Sequence, residues 1–344
     1  MSKLRWPLAT DTPAEQELFP QGLRVVGKGE YRGLEFLEVD SKTIINKVPG
    51  PPRFGFSHTI NAYRGCSHAC GYCFARPTHE YLGLNLAEDF DAKIVVKRNA
   101  VALVRAETAP ARWGGDLIAM GTNTDPYQAA EGKYRLTRGI LEVMVERSNP
   151  ISILTKSPLV LRDLDLIAGL AARTKVRVDF SVGSTDETVW RQTEPSAPHP
   201  QRRLDAVAKL TASGVRSGVL MGPVLPGISD SPEQLQATIV AAVAAGAVSI
   251  GHVPLHLGPG VKAHFLSWIK DYRPDLIPLY DDLYSGAGKQ AAAKYRSRLA
   301  ATVGDLIREA GGPVPRPSPD VAAAKVASRR QPRPADRQLS LELG

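Results

Sequence analysis

Long apolar runs are missing from this sequence. No stretch of about 18 consecutive apolar residues occurs, so we expect no membrane-spanning helix. The first residues carry Lys3 and Arg5, but no apolar segment follows them, and we therefore expect no secretory signal. A cytoplasmic protein is expected, in which thiols stay reduced. With 344 residues, 43% of them hydrophobic, the chain is long enough to bury a substantial core.

Cysteine is also scarce, because the chain has only three, and all of them fall within eight residues, at Cys66, Cys70 and Cys73. A disulfide scheme would leave one cysteine over and would not crowd three onto one short loop. Thiolates repel one another unless a cation holds them together, so this grouping indicates a metal centre. Three thiolates can ligate three corners of a [4Fe-4S] cluster and leave the fourth iron open for an outside molecule.

Two other kinds of metal site could use the same cysteines. A structural zinc site needs a fourth ligand, which His68 or His79 would supply in a Cys3His knuckle. Zinc loops, however, more often use C-x2-C pairs separated by about a dozen residues or more. An electron-carrier cluster would need a fourth cysteine, which the chain lacks. The residues alone leave the zinc alternative open.

Short apolar runs alternate with helical patterns beyond residue 55, which is typical of βα units and a parallel sheet. The predicted strands are residues 57–63, 116–120, 151–155, 176–182, 214–221 and 247–253. The predicted helices are residues 97–107, 134–147, 162–173, 204–213, 232–245, 262–272 and 290–309. Ser231 is the expected N-cap of the helix that follows it. This rhythm predicts an α/β fold, a partial (β/α)6 TIM-like barrel, with a doubly wound open sheet as the alternative.

The two ends of the chain differ in pattern from its middle. We predict an irregular N-terminal extension over residues 1–55 and a core barrel with C-terminal helices over residues 56–311. Residues 312–344 are rich in Pro, Ala and Arg and are predicted to form a disordered basic tail.

Polar residues follow several predicted strands, at the end where parallel α/β folds place their chemistry. Thr124 and Asp125 follow the second strand, Lys156 follows the third, and Ser181 ends the fourth. Hydroxyls beside an acid suit an amino group or a ribose, and a lysine suits a carboxylate. Each also has an ordinary interpretation, an Asx turn at Asp125 or a solvated lysine at 156. Their shared position at strand ends predicts a binding site beside the cysteines.

The C-x3-C-x2-C spacing, with Tyr72 before the last cysteine, resembles the signature of the radical S-adenosylmethionine (SAM) enzymes. The resemblance implies that Cys66, Cys70 and Cys73 ligate a [4Fe-4S] cluster whose open iron binds the amino and carboxylate groups of SAM. It implies reductive cleavage of SAM to methionine and a 5'-deoxyadenosyl radical. It also implies that Tyr72 packs near the adenine.

A narrower resemblance covers roughly residues 40–300 and looks like the subgroup related to spore photoproduct lyase, often labelled DNA-repair-photolyase-like. The segments that carry it are residues 46–47, 61–66 and 73–81. By this resemblance Thr124 and Asp125 lie near the SAM amino group, Lys156 pairs with the SAM carboxylate, and Ser181 lies close by. It implies a lyase-like enzyme that acts on nucleic acid, in DNA repair or modification.

One departure from that subgroup concerns the hydrogen donor. The lyase carries a cysteine just before its Ser-Asp pair, and that thiol returns a hydrogen atom to the repaired thymine, whereas this chain has Asn123 there. An amide N–H is a poor hydrogen-atom donor compared with a thiol, so the substrate and its route stay open. Asn123 and Tyr127 are the catalytic candidates, and Tyr63 and Tyr81 are further candidate radical relays. Tyrosines near a barrel mouth are, however, more often packing residues.

A net charge of +8 favours a polyanionic partner, above all nucleic acid. Much of the excess lies in residues 313–337, where a solvated tail explains it equally well.

The last residues resemble the hexapeptide by which bacterial replication and repair proteins bind the DNA sliding clamp. Gln338 would anchor by hydrogen bonds, while Leu339, Leu341 and Leu343 fill an apolar groove. An external electron donor is a further expected partner.

If the cysteines instead hold a structural zinc ion, the alternative function is that of a non-catalytic DNA-associated protein.

We predict that a peptide of residues 331–344 binds the bacterial clamp and that Gln338→Ala weakens this binding about tenfold or more, because the anchoring amide is lost. Fluorescence anisotropy of the labelled peptides measures both affinities. No binding at high micromolar concentration, or equal affinity of the two peptides, would contradict the prediction.

Overall fold

The largest sheet of the molecule is built from strands that lie side by side in the order in which they occur along the chain. The computed structural model describes residues 22–49, 55–286 and 288–313. Its strands are β1 (Leu23–Val26), β2 (Glu35–Val39), β3 (Ile45–Lys47), β4 (His58–Ile60), β5 (Tyr63–Arg64), β6 (Lys93–Lys97), β7 (Ile118–Met120), β8 (Ile151–Thr155), β9 (Val176–Ser181), β10 (Arg216–Val224) and β11 (Ile250–Pro254). The predicted tail from residue 314 onward, with the four residues predicted to bind the clamp, lies outside the described residues.

The helices alternate with the strands of this sheet. They are α1 (Glu88–Ala92), α2 (Ala100–Glu107), α3 (Ala129–Tyr134), α4 (Leu136–Arg147), α5 (Leu164–Ala171), α6 (Glu187–Thr193), α7 (Pro200–Ala212), α8 (Pro232–Ala244), α9 (Val261–Tyr272), α10 (Ile277–Leu283) and α11 (Ala293–Glu309). Short 3-10 helices are Gly29–Tyr31, Arg76–Leu82, Pro158–Asp163 and Pro274–Leu276. The predicted N-cap of α8 is confirmed, since the Ser231 hydroxyl accepts from the Gln234 amide at 3.3 Å. Within the described ranges, no helix is long and apolar enough to cross a membrane.

The seven-stranded sheet has the order β11-β10-β9-β8-β7-β4-β3, in which all neighbours are parallel except β3 and β4. Each crossover therefore moves the chain one strand further in the same direction. Right-handed crossovers of this kind place the connecting helices on one face and curl the sheet towards the other. The edge strands β3 and β11 do not pair with each other, so the barrel is partial. The predicted (β/α)6 barrel is confirmed, whereas a doubly wound sheet would reverse its strand order.

The alternation of side chains along β9 distinguishes the face of the sheet that packs in the main core from the concave face. Val178 and Phe180 are 0% exposed in the main core, beneath α7 and its neighbours. Arg177, Asp179 and Ser181 alternate with them and so lie on the opposite, concave face. The carboxyl ends of β7, β8 and β9 meet along one rim of this concave face, because the strands are parallel.

A second sheet, with the order β1-β2-β6-β5, corrects the prediction for the N-terminal part of the chain. An irregular extension is wrong for residues 22–49, which form β1, β2 and β3. The helix predicted at 97–107 begins only at Ala100, because residues 93–97 form β6. Strand β2 pairs with β6, far along the chain, and a pairing of that kind leaves no local sequence pattern. The proposed domain boundaries at residues 55 and 311 stay predictions.

We predict that Ser231→Ala lowers the free energy of unfolding by about 1 kcal/mol, because the Gln234 amide loses its capping acceptor. The control is Ser297→Ala, the same change at an exposed position inside α11, which should alter stability by less than about 0.5 kcal/mol. Urea denaturation measures both. Equal effects of the two substitutions would contradict the capping role.

Candidate cofactor site

The three cysteines lie on a loop between β5 and the 3-10 helix Arg76–Leu82. The loop begins at Gly65, which has a positive φ of 81°. A Cβ there would lie 2.8 Å from Cε1 of His79 and 2.9 Å from the carbonyl oxygen of Phe90, so only glycine fits without displacing its neighbours. The Cys66 amide donates to that same carbonyl at 2.9 Å. The first cysteine is therefore positioned by contacts of the main chain.

The buried guanidinium of Arg76 fixes the second part of the loop. Its Nε and Nη2 donate to the carbonyl oxygen of Cys70 at 3.1 and 2.9 Å. Its Nη1 donates to the carbonyl oxygens of Leu86 and Ala87 at 3.0 and 2.9 Å, and Nη2 also contacts the Asp91 carboxylate. One side chain thus ties the cysteine loop to the segment that leads into β6.

The loop after β7 holds the cysteine loop from the barrel side. Thr124 Oγ1 and Gln128 Nε2 donate to the carbonyl oxygen of Gly65 at 2.6 and 2.9 Å. Gln128 Oε1 in turn accepts from the amide of Ser67 at 3.0 Å. Because both side chains are buried, these hydrogen bonds do not compete with water.

The thiols of the loop are buried or half-buried and electrostatically coupled. Burial, and after it the Asp125 carboxylate and the other two thiols, raise the pKa of Cys66. Burial likewise raises the pKa of Cys70 to about 12 and that of Cys73 above its ordinary value. Such thiols become thiolates only when a cation compensates their charge. The donor set therefore fits a metal centre that takes one thiolate at each of three sites.

A single-ion zinc site fits the geometry less well. In the part of the chain that the structure describes, no group of three or more His, Cys, Asp and Glu side chains is arranged to hold one metal ion. The two histidines considered as a fourth ligand have other partners. His79 Nε2 lies 2.9 Å from the Lys93 carbonyl oxygen, and His68 Nδ1 lies 3.4 Å from the Asp125 carboxylate.

Asp125 joins the ends of β7 and β8. Its Oδ1 accepts from Thr155 Oγ1 at 2.7 Å and from the Tyr127 amide at 2.8 Å. Its Oδ2 accepts from the Lys156 amide at 2.7 Å. The carboxylate is only 8% exposed, so it is held in one orientation at the rim of the concave face.

Lys156 extends from the end of β8 into a buried polar network. Its Nζ donates to Ser181 Oγ at 3.0 Å and lies 3.7 Å from Glu194 Oε1. It also lies 5.7 Å from the centre of the Tyr72 ring. The Tyr72 hydroxyl and the Arg203 guanidinium both donate to the Glu194 carboxylate. The network therefore connects the cysteine loop to the ends of β8 and β9.

The electrostatics of this network favour its charged form. Burial alone would raise the pKa of Glu194, but Arg203 and Lys156 overcome burial and lower it to about 2. Burial opposes the charge on Lys156, yet Glu194 raises the pKa of that amine above its ordinary value. A buried ion pair is thus present at neutral pH beside the cysteines.

Charged side chains also lie deeper on the concave face. Asp179 and Arg177 form an ion pair, and Arg177 also contacts Ser249, next to β11. At roughly 3.3 Å per residue, Asp179 lies about 7 Å and Arg177 about 13 Å below Ser181 along the strand. They are 17% and 22% exposed, so the concave face offers polar groups below the network.

Comparison with known proteins identifies the family. The family model of the Radical SAM superfamily matches residues 60–239, from the cysteine loop to α8. The chain belongs to the radical SAM superfamily. Radical SAM enzymes use a [4Fe-4S] cluster and SAM, and these are the cofactors of this chain.

The radical SAM chain has relatives in bacteria and archaea. An uncharacterised protein of Mycobacterium tuberculosis is 41% identical over 307 residues, which are 88% of this chain and 90% of that protein. An uncharacterised protein of Methanocaldococcus jannaschii is 30% identical over 199 residues, 57% of this chain and 70% of that protein. Among solved structures, a spore photoproduct lyase mutant with bound AdoMet and dinucleoside spore photoproduct has a TM-score of 0.61 at 17% identity, covering 86% of this chain and 91% of the lyase. This likeness shows a shared radical SAM fold.

The structure brings most of the predicted site residues of the radical SAM chain together. Asp125, Lys156, Ser181 and Tyr72 lie in one connected region beside the cysteine loop. Thr124 lies there too, but its hydroxyl is committed to the carbonyl oxygen of Gly65. Their roles towards SAM stay predictions.

The two catalytic candidates, Tyr127 and Asn123, are not part of the network around Lys156. Tyr127 is 1% exposed, and its hydroxyl donates to Asp163 at 3.2 Å. Asn123 is half-buried, and its backbone amide donates to Asn61 Oδ1 at 3.2 Å. Tyr63 is also buried, with its hydroxyl on Glu131 at 2.5 Å, whereas Tyr81 is 86% exposed. None of these hydroxyls contacts the Lys156 network.

Arg203, a central residue of the network, was not predicted as a member of the site. Arg203 is 0% exposed and also donates to the carbonyl oxygen of Ser181 at 2.8 Å. It lies on the same stripe of α7 as the buried Val207 and Leu210. A charged residue on an apolar stripe is the signal that would have pointed to it.

We predict that Glu194→Gln destabilises the protein by about 3–5 kcal/mol at neutral pH, because Arg203 and Lys156 lose their buried counter-ion. The folded pKa of Glu194, about 2, lies below the ordinary value of 4.5. Its contribution is therefore complete above about pH 4.5 and is lost as the pH falls towards 2. Urea denaturation of wild type and variant across this window should show a smaller pH dependence in the variant.

The matched control is Glu187→Gln, which removes a carboxylate that is 59% exposed and paired with Arg191. Surface pairs of this kind contribute little, so a change below about 1 kcal/mol is expected. If Glu194→Gln were as mild as this control, the buried pair would not stabilise the site.

Proposed function

We propose that this chain cleaves SAM reductively and starts radical chemistry on nucleic acid, in DNA repair or modification. One observation carries the proposal: a buried loop of three cysteines lies against a charged network at the carboxyl ends of β7, β8 and β9. Asp125 acts on the pKa of Cys66, and Lys156 acts on that of Cys70, so the cysteines and the network share one electrostatic environment.

In this proposal Cys66, Cys70 and Cys73 hold the cluster. When bound, the cluster and SAM supply a 5'-deoxyadenosyl radical through one-electron cleavage of the sulfonium bond. Gly65 and Arg76 fix the main chain of the loop that carries these three thiols.

The network would bind the amino-acid part of SAM. The Lys156 ammonium, oriented by Ser181, suits the SAM carboxylate, and the Asp125 carboxylate suits the SAM ammonium. The Tyr72 ring offers an apolar surface to the adenine next to Cys70. Thr124 would act through the cysteine loop, because it donates to the carbonyl oxygen of Gly65.

Three observations support a nucleic-acid substrate. The net charge of +8 favours a polyanion. A protein of the same fold has been solved with a dinucleoside spore photoproduct bound. The concave face carries Arg177, Asp179 and Ser249, a donor and acceptor set that suits the edge of a base. The clamp-binding role of Gln338 and the leucines after it is proposed from the sequence alone.

The hydrogen donor would differ from a thiol. The chain has no cysteine outside the loop, so Tyr127 or Asn123 would serve, or the product radical would take a hydrogen atom back from 5'-deoxyadenosine. The second route needs no protein donor, and it would spare SAM if the deoxyadenosyl group then rejoined methionine and one electron returned to the cluster.

We predict that anaerobic reconstitution gives about four irons per chain and dithionite-dependent 5'-deoxyadenosine, and that Cys70→Ala loses both, because one corner of the cluster has no ligand. Iron assay and chromatography measure the two quantities. Glu88→Gln, at an exposed position at the start of α1, is the control and should keep both. Bound zinc with no 5'-deoxyadenosine in the wild type would support the alternative, a non-catalytic DNA-associated protein.

The substrate class is tested by deuterium transfer. Deuterium-labelled damaged or modified oligonucleotides should pass deuterium into 5'-deoxyadenosine if the radical attacks nucleic acid, and mass spectrometry identifies the labelled position. Cleavage of SAM with no transfer from any oligonucleotide would leave the radical chemistry in place and refute the nucleic-acid substrate.

A further inference from the structure

Two cations lie side by side on the outer face of the second sheet, next to the cysteine loop. Arg64 ends the edge strand β5, and Lys97 ends β6. Arg64 is opposite Val95 in the ladder, so Arg64, Val95 and Lys97 share one face of the sheet. The neighbouring residues Tyr63 and Val96 lie on the other face, in the main core. The two cations therefore face away from the barrel.

Neither side chain has a counter-ion. No hydrogen bond or ion pair in the described part of the chain involves the guanidinium of Arg64 or the ammonium of Lys97. Both are half-buried, so water compensates their charge only in part. Burial, and after it the charge of Arg64, lower the pKa of Lys97 to about 8. Two partly desolvated like charges on one face, close enough for Arg64 to lower the pKa of Lys97, are unfavourable, and an anion placed beside them would stabilise both.

A matched comparison lies one residue away. Arg98 is exposed and its Nη2 already pairs with Asp40 at 3.0 Å. The charge of Arg98 is therefore already compensated, whereas the half-buried Arg64 and Lys97 have no counter-ion in the described part of the chain.

The position of these cations narrows the choice of anion. Arg64 precedes Cys66 by two residues, so their Cα atoms are at most about 7 Å apart. The groups that suit SAM, Asp125 and Lys156, belong to the barrel rim, and Arg177 and Asp179 line its concave face. An anion at Arg64 and Lys97 would come close to the cysteine loop from outside without entering the barrel. A nucleic-acid substrate has to place its reacting nucleotide inside the barrel, whereas a protein that delivers electrons only has to approach the loop.

We propose that Arg64 and Lys97 form the docking site for an acidic one-electron carrier protein of the ferredoxin class, whose surface carboxylates pair with the two cations. The inference rests on the proposed function, since the reduced carrier gives one electron to the cluster and is itself oxidised by one electron. No bond is formed or broken and no proton is transferred in this step. Electron-transfer complexes are small and weak, so two charge pairs are a substantial part of such an interface.

The test compares the reconstituted wild type with the double variant Arg64→Gln/Lys97→Gln and with the control Arg98→Gln. Calorimetry or biolayer interferometry at low ionic strength measures the Kd for a purified acidic ferredoxin. The double variant should raise the Kd about tenfold or more and lose most of its salt dependence, whereas Arg98→Gln should change the Kd less than about twofold. Reduction of the cluster by ferredoxin, followed by EPR, should slow in parallel, while reduction by dithionite, a small molecule, should not.

A second measurement needs no variant. Carbodiimide joins an amine to a carboxylate only where the two are in contact, so cross-linking of the wild type to ferredoxin followed by mass spectrometry should identify Lys97. The charge-keeping variant Arg64→Lys/Lys97→Arg should retain ferredoxin binding, although it changes the same positions.

Three results would overturn the docking site: an unchanged Kd in the double variant, cross-links that map to other lysines, or loss of duplex or single-stranded DNA binding with ferredoxin binding unchanged. The last result would assign the cations to nucleic acid. Binding and cross-linking are read without turnover. A wild type that yields no 5'-deoxyadenosine even with dithionite would therefore refute the proposed function separately.

Discussion

The carbonyl oxygen of Gly65 is the point on which the arrangement of the site depends. It accepts hydrogen bonds from Thr124 and Gln128, both on the loop after β7. The residue itself is enclosed by His79 and the main chain of the segment before β6. One peptide unit thus connects the second sheet, the cysteine loop and the barrel. The main chain of the cysteine loop therefore has a fixed position relative to the end of β7.

A second constraint is electrostatic. The network of Glu194, Arg203 and Lys156 is buried, and burial opposes each of its charges. The charges persist because each has an opposite partner and further hydrogen bonds, from Tyr72 to Glu194 and from Lys156 to Ser181. Breaking such a network costs free energy, and the intact network holds the Lys156 ammonium in one orientation at the rim. The barrel therefore presents a charge of known sign and direction next to the cysteines before any ligand is bound.

The barrel and the cysteine loop could be predicted from the sequence because both leave local signals. Apolar runs of strand length, such as residues 151–155, recur with the spacing of βα units, and β8 has the predicted bounds. The cysteine spacing and Tyr72 are contiguous. The second sheet could not be predicted in this way, because β2 and β5 are defined by their pairing with β6. Arg203 was missed for a related reason, since its partner Glu194 becomes visible only when α7 packs on the sheet.

The hydrogen bonds of the Arg76 guanidinium affect how a metal centre would assemble on the cysteine loop. Its hydrogen bonds to Cys70, Leu86, Ala87 and Asp91 order the loop through protein contacts alone. In zinc fingers the free energy of metal binding is the free energy of folding, and the polypeptide unfolds when the ion is removed. Here the main chain of the cysteine loop is ordered when the chain folds, so its conformational entropy is lost in folding and not in metal binding. Removal of the iron by a chelator should therefore leave the rest of the protein folded.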